Sequence, residues 1–438
     1  MTIKDLFVTP IFLLVIILLA YWVRPYVTSL ATKKYFFPAL LAKLIGAIVL
    51  GMVYQFYYAS GDTFIYFEHG SRWIWEALIN EPLKGIQLLL DSGGNRKAET
   101  FHYNQHIWYY KDTRSFLIVK IASVIDLVTF HTYTSTALFF ALFSFSGLWA
   151  FFVALVKKYR NNLNGIAVAI LFIPSVVFWG SGILKDTVTI GALGWVSYSL
   201  INLIDINKRR LIFWIILVFF SALIFKVKSY IIICYLPMVS LWLYLQFIHK
   251  IKNTAYKILV APLLVVIFGG VGFYVFSTVA NQTETFAFEN IAERARITAY
   301  DIRYGWGART GGDGGYDLGE LDGSWDSMIR LAPQAVVVSL FRPYPWEIKN
   351  PLMLLASIES TLMLVFSFWY LIVKKRLTKV FQDPFLVFCM SFAVIFAFAV
   401  GVSTYNFGTL MRYKIPMMPF FALLLVLTGD KSSRSVQF

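Results

Sequence analysis

Long apolar runs recur along the chain from its beginning almost to its end. Each is long enough, or nearly so, to cross a bilayer as a helix of about 20 residues. The twelve runs cover residues 7–24, 38–57, 115–131, 136–156, 165–181, 187–205, 211–227, 230–248, 257–277, 351–373, 384–402 and 410–428. The pattern predicts an all-α polytopic membrane protein with about 11–13 transmembrane helices.

The composition supports a membrane protein and excludes a soluble enzyme, a disordered chain and a disulfide-stabilised scaffold. Of the 438 residues, 58% are hydrophobic and only 14% are charged. A typical soluble domain has about 25% charged residues. One aqueous core could not bury so much apolar surface, so residues 1–438 are predicted to form a single transmembrane domain.

The formal net charge is +15, which would suggest nucleic-acid binding in a soluble protein. Here the Lys and Arg residues gather in short clusters between apolar runs, as in cytoplasmic loops that face anionic lipid. We therefore expect no nucleic-acid partner and a location in a bacterial cytoplasmic membrane. The basic clusters include Lys33 and Lys34, Lys157 to Arg160, Lys208 to Arg210, Lys250 to Lys257, Lys374 to Lys379, and Lys431 with Arg434.

Two long segments, 58–114 and 278–348, are predicted to be extracytoplasmic loops that carry amphipathic helices. Parity places the first loop outside if the run 115–131 does not cross the membrane fully, and inside if it does. In this loop Asp62 directly follows Gly61 at the exit of an apolar run. At the boundary between lipid and water, Asp62 could accept a proton from a hydroxyl group or bind a divalent cation. The alternative is a helix N-cap.

Other polar residues at the ends of apolar runs are candidate substrate-binding groups. Lys185 and Asp186 open one run, and Lys226 and Lys228 separate two others. These charges either line a polar cleft and bind an anion such as a lipid phosphate, or simply contact headgroups and cap helices. The remaining candidates are Tyr66, Glu68, Arg342, Glu347, Arg412 and Tyr413.

Glycine and acidic residues alternate between Gly305 and Asp326, which suggests either a mobile lid or a plain linker. Glu359 lies within an apolar run and is a further functional candidate. Walker A, GxSxG, HExxH and CxxC motifs are absent from the sequence. ATP-driven transport and the hydrolases that carry those motifs therefore have no support in the sequence.

The combination resembles the GT-C superfamily of integral-membrane glycosyltransferases. The resemblance rests on Asp62 in Gly-Asp-Thr-Phe-Ile-Tyr, the amphipathic helices after it, the polar motif from Pro174 to Asp186 and the late Arg412-Tyr413-Lys414-Ile415-Pro416. It implies a polyprenyl-phosphate-linked sugar as donor and a glycan, lipid or protein acceptor. It also implies that Asp62 is the catalytic base or a metal ligand, and that Lys226, Lys228 and Arg412 neutralise the departing phosphate.

Two alternatives remain open at this level. An O-antigen-type polysaccharide polymerase or ligase would also have many spans, and its essential residues would be arginines of the loop 278–348 rather than Asp62. A transporter or flippase of lipid-linked glycans would need charges near the membrane midplane and paired broken helices. Most polar residues gather at one face, which favours the enzyme.

Overall fold

The computed structural model describes residues 3–204, 210–251, 291–306 and 315–429, together with scattered positions between 256 and 274. This part of the chain is built from helices, and its only extended pairing is an isolated bridge between Gly315 and Asn406. The all-α prediction is confirmed for these residues.

In the part of the chain that the structure describes, twelve α-helices lie before residue 251 and eight lie after residue 290. The first twelve are α1 (Ile3–Val27), α2 (Lys33–Met52), α3 (Asp62–Tyr66), α4 (Arg72–Asn80), α5 (Pro82–Leu90), α6 (Phe101–Asn104), α7 (Thr113–Thr129), α8 (Tyr133–Lys158), α9 (Leu163–Leu171), α10 (Pro174–Trp179), α11 (Lys185–Ile204) and α12 (Leu211–Lys250). The others are α13 (Ile291–Tyr300), α14 (Trp325–Arg330), α15 (Ala332–Phe341), α16 (Pro351–Ser367), α17 (Leu377–Gln382), α18 (Pro384–Thr404), α19 (Phe407–Tyr413) and α20 (Met418–Gly429).

Seven helices of the described part are long and apolar enough to cross a membrane, or eight if the bent pair Phe407–Tyr413 and Ile415–Gly429 forms one span. The protein is thus a multi-pass membrane protein, but the predicted count of 11–13 is too high for these residues. Hydropathy alone detects apolar stretches and does not show where a helix breaks or continues.

Four predicted runs in the described residues account for most of the difference. The run 165–181 is broken, because α9 ends at Leu171 and α10 starts at Pro174, whose ring cannot continue the preceding helix. The run 115–131 forms α7, which has only 17 residues. The runs 211–227 and 230–248 belong to one 40-residue helix, α12, interrupted by the non-helical backbone of Lys228 (φ −143°, ψ 79°). The run 257–277 lies largely outside the described residues.

The chain divides into two compact units. Unit 1 comprises Met1–Leu155 and Val176–Lys228, and unit 2 comprises Val156–Ser175 and Ser229–Phe438.

In unit 1, α1 and α8 lie side by side and run in the same direction. Near their starts, the Asp5 carboxylate accepts a hydrogen bond of 2.8 Å from the backbone N–H of Thr134. Further along both helices, the Trp149 indole donates to the carbonyl of Val27. A carboxylate at the first turn of α8 also satisfies an amide that the helix cannot pair itself.

Glycines let α8 and α11 cross at very short distance within unit 1. A Cβ atom at Gly147 would lie 1.9 Å from the carbonyl oxygen of Gly191, and one at Gly194 would lie 2.4 Å from Gly147. Any side chain here would force the backbones apart. Small residues at helix crossings are typical of membrane proteins, where close packing replaces the hydrophobic driving force.

In unit 2, α15 packs against α18. The Ser339 hydroxyl donates to the carbonyl of Ala397 at 2.7 Å, and a Cβ atom at Gly401 would lie 2.4 Å from the carbonyl oxygen of Ala335. Since α15 falls inside the predicted loop 278–348, part of that segment is a packed apolar helix. The glycines and the aspartate between residues 307 and 314, expected in a lid, lie outside the described residues, as do Lys208, Arg209, Lys431 and Arg434.

Candidate functional site

Asp62 is held where the chain turns from one helix into the next. Gly61 before it has φ +141°, a backbone conformation that L side chains rarely adopt, and Asp62 then begins α3. The half-buried Asp62 carboxylate accepts a hydrogen bond of 3.0 Å from the hydroxyl of Tyr109. The glycine therefore allows the turn, and Tyr109 fixes the carboxylate after it.

The short helix α3 and the π-helical turn Phe67–Ser71 after it are anchored on α7 and α8 of unit 1. Their side chains make hydrogen bonds and ring contacts with residues of these two helices and of the turn between them. The contacts are Thr63 with Tyr133, Tyr66 with Ser115, Phe67 with His131, and Ser71 with Asp126. The position of Asp62 is therefore set by the tertiary packing of the helix that it begins and of the π-helical turn after that helix.

Asp112 and Lys185 form an ion pair in the same unit. The Lys185 ammonium lies 3.1 Å from Asp112 Oδ2, and the Ser115 hydroxyl donates to the same oxygen. Burial raises the pKa of the Asp112 carboxyl, but the Lys185 charge and the hydrogen bonds outweigh it, so the pKa lies below its ordinary value. Asp112 is therefore ionised at neutral pH.

Lys185 also links this pair to two other predicted site residues. The charges of Asp62 and Lys228 both act on the Lys185 ammonium. Lys228, at the break in α12, lies 2.6 Å from Asp186, the second residue of α11. We call Asp62, Asp112, Lys185, Asp186 and Lys228 the charged cluster. Four of its five members were predicted from the sequence as site residues.

The members of the charged cluster differ in their access to solvent. Asp186 and Lys228 are 2% and 6% exposed, whereas the Asp112 carboxylate is exposed and Asp62 and Lys185 are half-buried. Only the last three can therefore meet a substrate directly. The Asp186–Lys228 pair lies behind them and fixes the start of α11 against the break in α12.

The other predicted residues of unit 1 are Tyr66, Lys226 and Glu68. Tyr66 is buried and reaches Ser115, which in turn bonds Asp112. Lys226 is exposed, and its charge acts on Lys120. Glu68 is half-buried on the turn that follows α3, and its charge acts on Arg72.

In unit 2, Arg342 and Glu347 form a close ion pair. Arg342 Nε lies 3.0 Å from both carboxylate oxygens, and the guanidinium lies over the ring of Phe407. Burial raises the pKa of the Glu347 carboxyl, but the hydrogen bonds from Arg342 and from the Tyr344 backbone outweigh it and leave the pKa below its usual range. The Arg342 side chain is thus held by a carboxylate and by aromatic rings together.

The remaining candidates of unit 2 lie on other helices. Arg412 and Tyr413 are half-buried on α19, with the Tyr413 ring 6.4 Å from that of Tyr230. Glu359 is buried on α16 and accepts hydrogen bonds of 2.8 Å from the backbone N–H and the hydroxyl of Ser175. Glu359 therefore holds the start of α10 and has a structural partner.

Sequence reasoning missed Tyr109, Asp112, Lys43 and Asp126. Asp112 could have been found as a helix N-cap, because it precedes Thr113 and its carboxylate accepts from the backbone N–H of Arg114. No sequence signal joins Tyr109 to Asp62, since their contact spans 47 positions.

Lys43 is 1% exposed within α2, and its side-chain nitrogen is hydrogen-bonded to three protein oxygens. The ammonium donates to the carbonyls of Val176 and Gly180, both at 2.8 Å, and to the Ser144 hydroxyl at 3.0 Å. The carbonyls lie at the end of α10, where a cation is favoured by the helix dipole. Lys43 is thus a structural bridge between three helices of unit 1.

Within the described residues, no three His, Cys, Asp or Glu side chains are grouped so as to hold a metal ion. Comparison of the chain with protein-family models, with curated proteins and with solved structures finds no match.

Proposed function

We propose that this protein is an integral-membrane glycosyltransferase of the cell envelope, which moves a sugar from a polyprenyl-phosphate carrier to an acceptor at the extracytoplasmic surface of a bacterial cytoplasmic membrane. The observation that carries the proposal is the ion pair of Asp112 and Lys185 in unit 1, with the charge of Asp62 acting on the same ammonium. A carboxylate beside a cation is the pair of groups that such a transfer needs, a base and a counter-charge for phosphate.

The position of these groups along the chain supports a substrate that is carried by lipid. Asp62 follows the apolar segment Lys33–Tyr57 by five residues, and Lys185 is the first residue of the apolar segment Lys185–Ile204. The charged cluster therefore lies at the ends of two candidate spans, where the phosphate of a membrane-bound carrier would be found.

The helix directions support an extracytoplasmic site. Because α1 and α8 run in the same direction, the segment between α2 and α8 begins and ends on one side of the membrane. Asp62 is in that segment. Lys33 and Lys34 stand at the opposite end of α2, and α8 ends with Lys157 and Lys158. Basic residues favour the cytoplasm, so Asp62 is assigned to the other side.

In the proposed reaction, an acceptor hydroxyl attacks the anomeric carbon of the lipid-linked sugar. The new carbon–oxygen bond forms as the bond from that carbon to the phosphate oxygen breaks. Asp62, oriented by Tyr109, accepts the hydroxyl proton. Lys185 stabilises the negative charge that develops on the departing phosphate. Lys226 provides a further exposed cation, and Asp186 with Lys228 positions Lys185 rather than contacting the phosphate.

The polar groups of unit 2 are proposed to contribute to substrate binding. Arg342 is stacked on aromatic rings and paired with Glu347, an arrangement that can bind sugar hydroxyls or phosphate. Arg412 and Tyr413 retain the same expected role. If the protein were instead an O-antigen-type polymerase or ligase, Arg342 would be essential and Asp62 would not.

The second candidate function is a transporter or flippase of lipid-linked glycans. It is favoured by charges buried in apolar helices, namely Lys43, Glu359 and Lys414, and by the break between α9 and α10. However, Lys43 and Glu359 are held by several hydrogen bonds each, which suits a structural role better than a moving gate.

The test compares Asp62→Asn with Asp326→Asn, a matched change at an exposed carboxylate of α14. Both variants are expressed in cells that lack the wild-type protein, and surface glycans and polyprenyl-phosphate sugars are measured by mass spectrometry. We expect D62N to lose a glycan modification and to accumulate the lipid-linked donor, and D326N to behave as wild type. Unchanged glycans in D62N at normal protein level would refute the proposal.

Purified protein in liposomes separates the alternatives. A transferase releases free polyprenyl phosphate when donor and acceptor are on the same side of the membrane. A flippase instead moves intact donor across the bilayer and does not cleave it.

A further inference from the structure

Two stacks of histidine on tryptophan lie on the surface of unit 1. The His69 imidazole stacks on the Trp108 indole, with ring centroids 4.1 Å apart and an interplanar angle of 10°. The His106 imidazole stacks on the Trp73 indole at 4.1 Å and 18°. The Trp108 backbone N–H donates to the carbonyl of His69 at 3.0 Å, which ties the two segments of chain together. We call His69, Trp73, His106 and Trp108 the ring platform.

The ring platform is both accessible and fixed. Trp108 is 62% exposed although His69 covers one of its faces, and both imidazoles are exposed. Ile107 before it and Tyr110 after it are fully buried, and the Tyr110 hydroxyl donates to Asp91 at 2.8 Å. The open face of the Trp108 indole is therefore presented on an anchored backbone, so little conformational freedom is lost when a ligand stacks on it.

The chemistry of the ring platform suits a saccharide. A sugar ring has an apolar face that packs on an aromatic ring, and hydroxyl groups that need hydrogen-bond partners. The open indole face provides the first. The two imidazoles stack through their faces and keep their nitrogen-bearing edges for the second. A hydrocarbon chain suits this surface less, because the ion pair of Arg72 and Glu76 lies on it, with Arg72 over the Trp73 ring, and charges are costly in lipid.

The ring platform is connected to the proposed catalytic carboxylate by one residue. Tyr109 directly follows Trp108, and its hydroxyl donates to Asp62 at 3.0 Å. His69 follows Asp62 along the same helical segment, at a separation of about 10 Å for the usual rise per residue. A sugar stacked on Trp108 and a hydroxyl group at Asp62 can therefore belong to one short saccharide chain.

We propose that the ring platform binds the acceptor, and that the acceptor is a glycan rather than a lipid or a protein. A terminal sugar places its hydroxyl at Asp62 while another sugar of the same chain stacks on Trp108. This proposal rests on the proposed function for its catalytic consequence, but not for the binding of saccharide to the ring platform.

The experiment uses the purified full-length protein in nanodiscs, labelled with fluorotryptophan and observed by fluorine NMR. The signal of Trp108 is identified by its loss in Trp108→Phe. The probe is the mixture of oligosaccharides released from the surface glycans of cells that lack the protein. The test variant is Trp108→Ala. The matched control is Trp22→Ala, the same change at an indole of α1 that is 67% exposed.

We expect the oligosaccharides to shift the Trp108 signal, and W108A to bind them about tenfold more weakly because the stacking surface is lost. W22A should bind as wild type does, and lipids with spin-labelled acyl chains should leave the Trp108 signal unchanged. A signal that the lipids broaden and the oligosaccharides do not move would identify Trp108 as a membrane anchor. Equal binding by W108A and wild type would place the saccharide elsewhere. Either result would overturn the proposal.

The failure of this proposal differs from the failure of the proposed function. In a transfer assay, W108A should raise the KM for the acceptor and leave kcat and the KM for the lipid-linked donor near wild-type values. If D62N leaves surface glycans unchanged while oligosaccharides still bind at Trp108, saccharide binding stands and the transferase does not. If D62N abolishes transfer while W108A leaves the acceptor KM unchanged, the transferase stands and the ring platform is not its acceptor site.

Discussion

The buried pair of Asp186 and Lys228 offers the sharpest test of the charged cluster. The two side chains are 2.6 Å apart and almost inaccessible to solvent. Replacing Lys228 by Met leaves the Asp186 carboxylate buried without its cation, and replacing Asp186 by Asn does the reverse. Removing one partner of a buried ion pair costs about 3–5 kcal/mol, because the desolvation of the remaining charge is no longer offset.

The double replacement Asp186→Leu with Lys228→Met removes both charges together. We expect it to be far less destabilised than the sum of the single variants, since no uncompensated charge remains. The free energy of unfolding is measured on full-length protein in bicelles by steric trapping. Lys226→Met is the matched control, because Lys226 is exposed on the same helix and should change stability by less than about 0.5 kcal/mol.

The result that would refute this reasoning is additivity. If the double variant loses as much stability as the two single variants combined, Asp186 and Lys228 do not interact in the folded protein. If each single variant lowers the free energy of unfolding no more than K226M does, the pair is hydrated rather than buried. The proposal that the pair positions Lys185 would then be wrong.

Three further predictions follow from other contacts of unit 1. Lys43→Met should destabilise the protein by about 1–3 kcal/mol in the same unfolding assay, because three buried oxygens lose a hydrogen-bond donor that Met does not replace; a loss below about 0.5 kcal/mol would contradict this. Gly147→Ala should lower the thermal midpoint in detergent, since its methyl group would overlap the Gly191 carbonyl; an unchanged midpoint would show that α8 and α11 are not in such close contact. The pKa of Asp112 lies below its ordinary value, so the stability difference between wild type and Asp112→Asn should be fully present above about pH 5 and vanish as pH falls through the folded-state pKa; a difference that grows in acid would have the wrong sign.

Much of the fold was accessible from the sequence, because the spacing of apolar residues reflects the thickness of a bilayer. Eight of the twelve predicted runs correspond to helices of the described residues that qualify as spans, two of them within α12, and a ninth corresponds to the bent pair Phe407–Tyr413 and Ile415–Gly429. The errors came where hydropathy has no information. The break before Pro174 makes two short helices of one apolar run, and α7 has only 17 residues. At Lys228 the backbone is non-helical, so the polar motif does interrupt the apolar segment of α12.

Part of the candidate site was also predictable. Asp62, Lys185, Asp186 and Lys228 each stand at the end or at a break of an apolar run, and charges there are costly without a partner or a polar cavity. That physical cost singled them out. Asp112 lies in a polar loop, where a charged side chain has no desolvation cost, so this criterion does not single it out. Only its contact with Lys185 in the structure identifies it as part of the site.

The sequence by itself determined that the chain enters a membrane as a bundle of helices, because burial of apolar side chains in lipid depends on composition and length alone. It also determined which charges would need partners. The tertiary structure decided what those partners are: Asp186 for Lys228, three oxygens for Lys43, and Tyr109 for Asp62. The paired residues lie tens to hundreds of positions apart in the sequence. The local pattern of apolar and polar residues does not show which of their helices pack together.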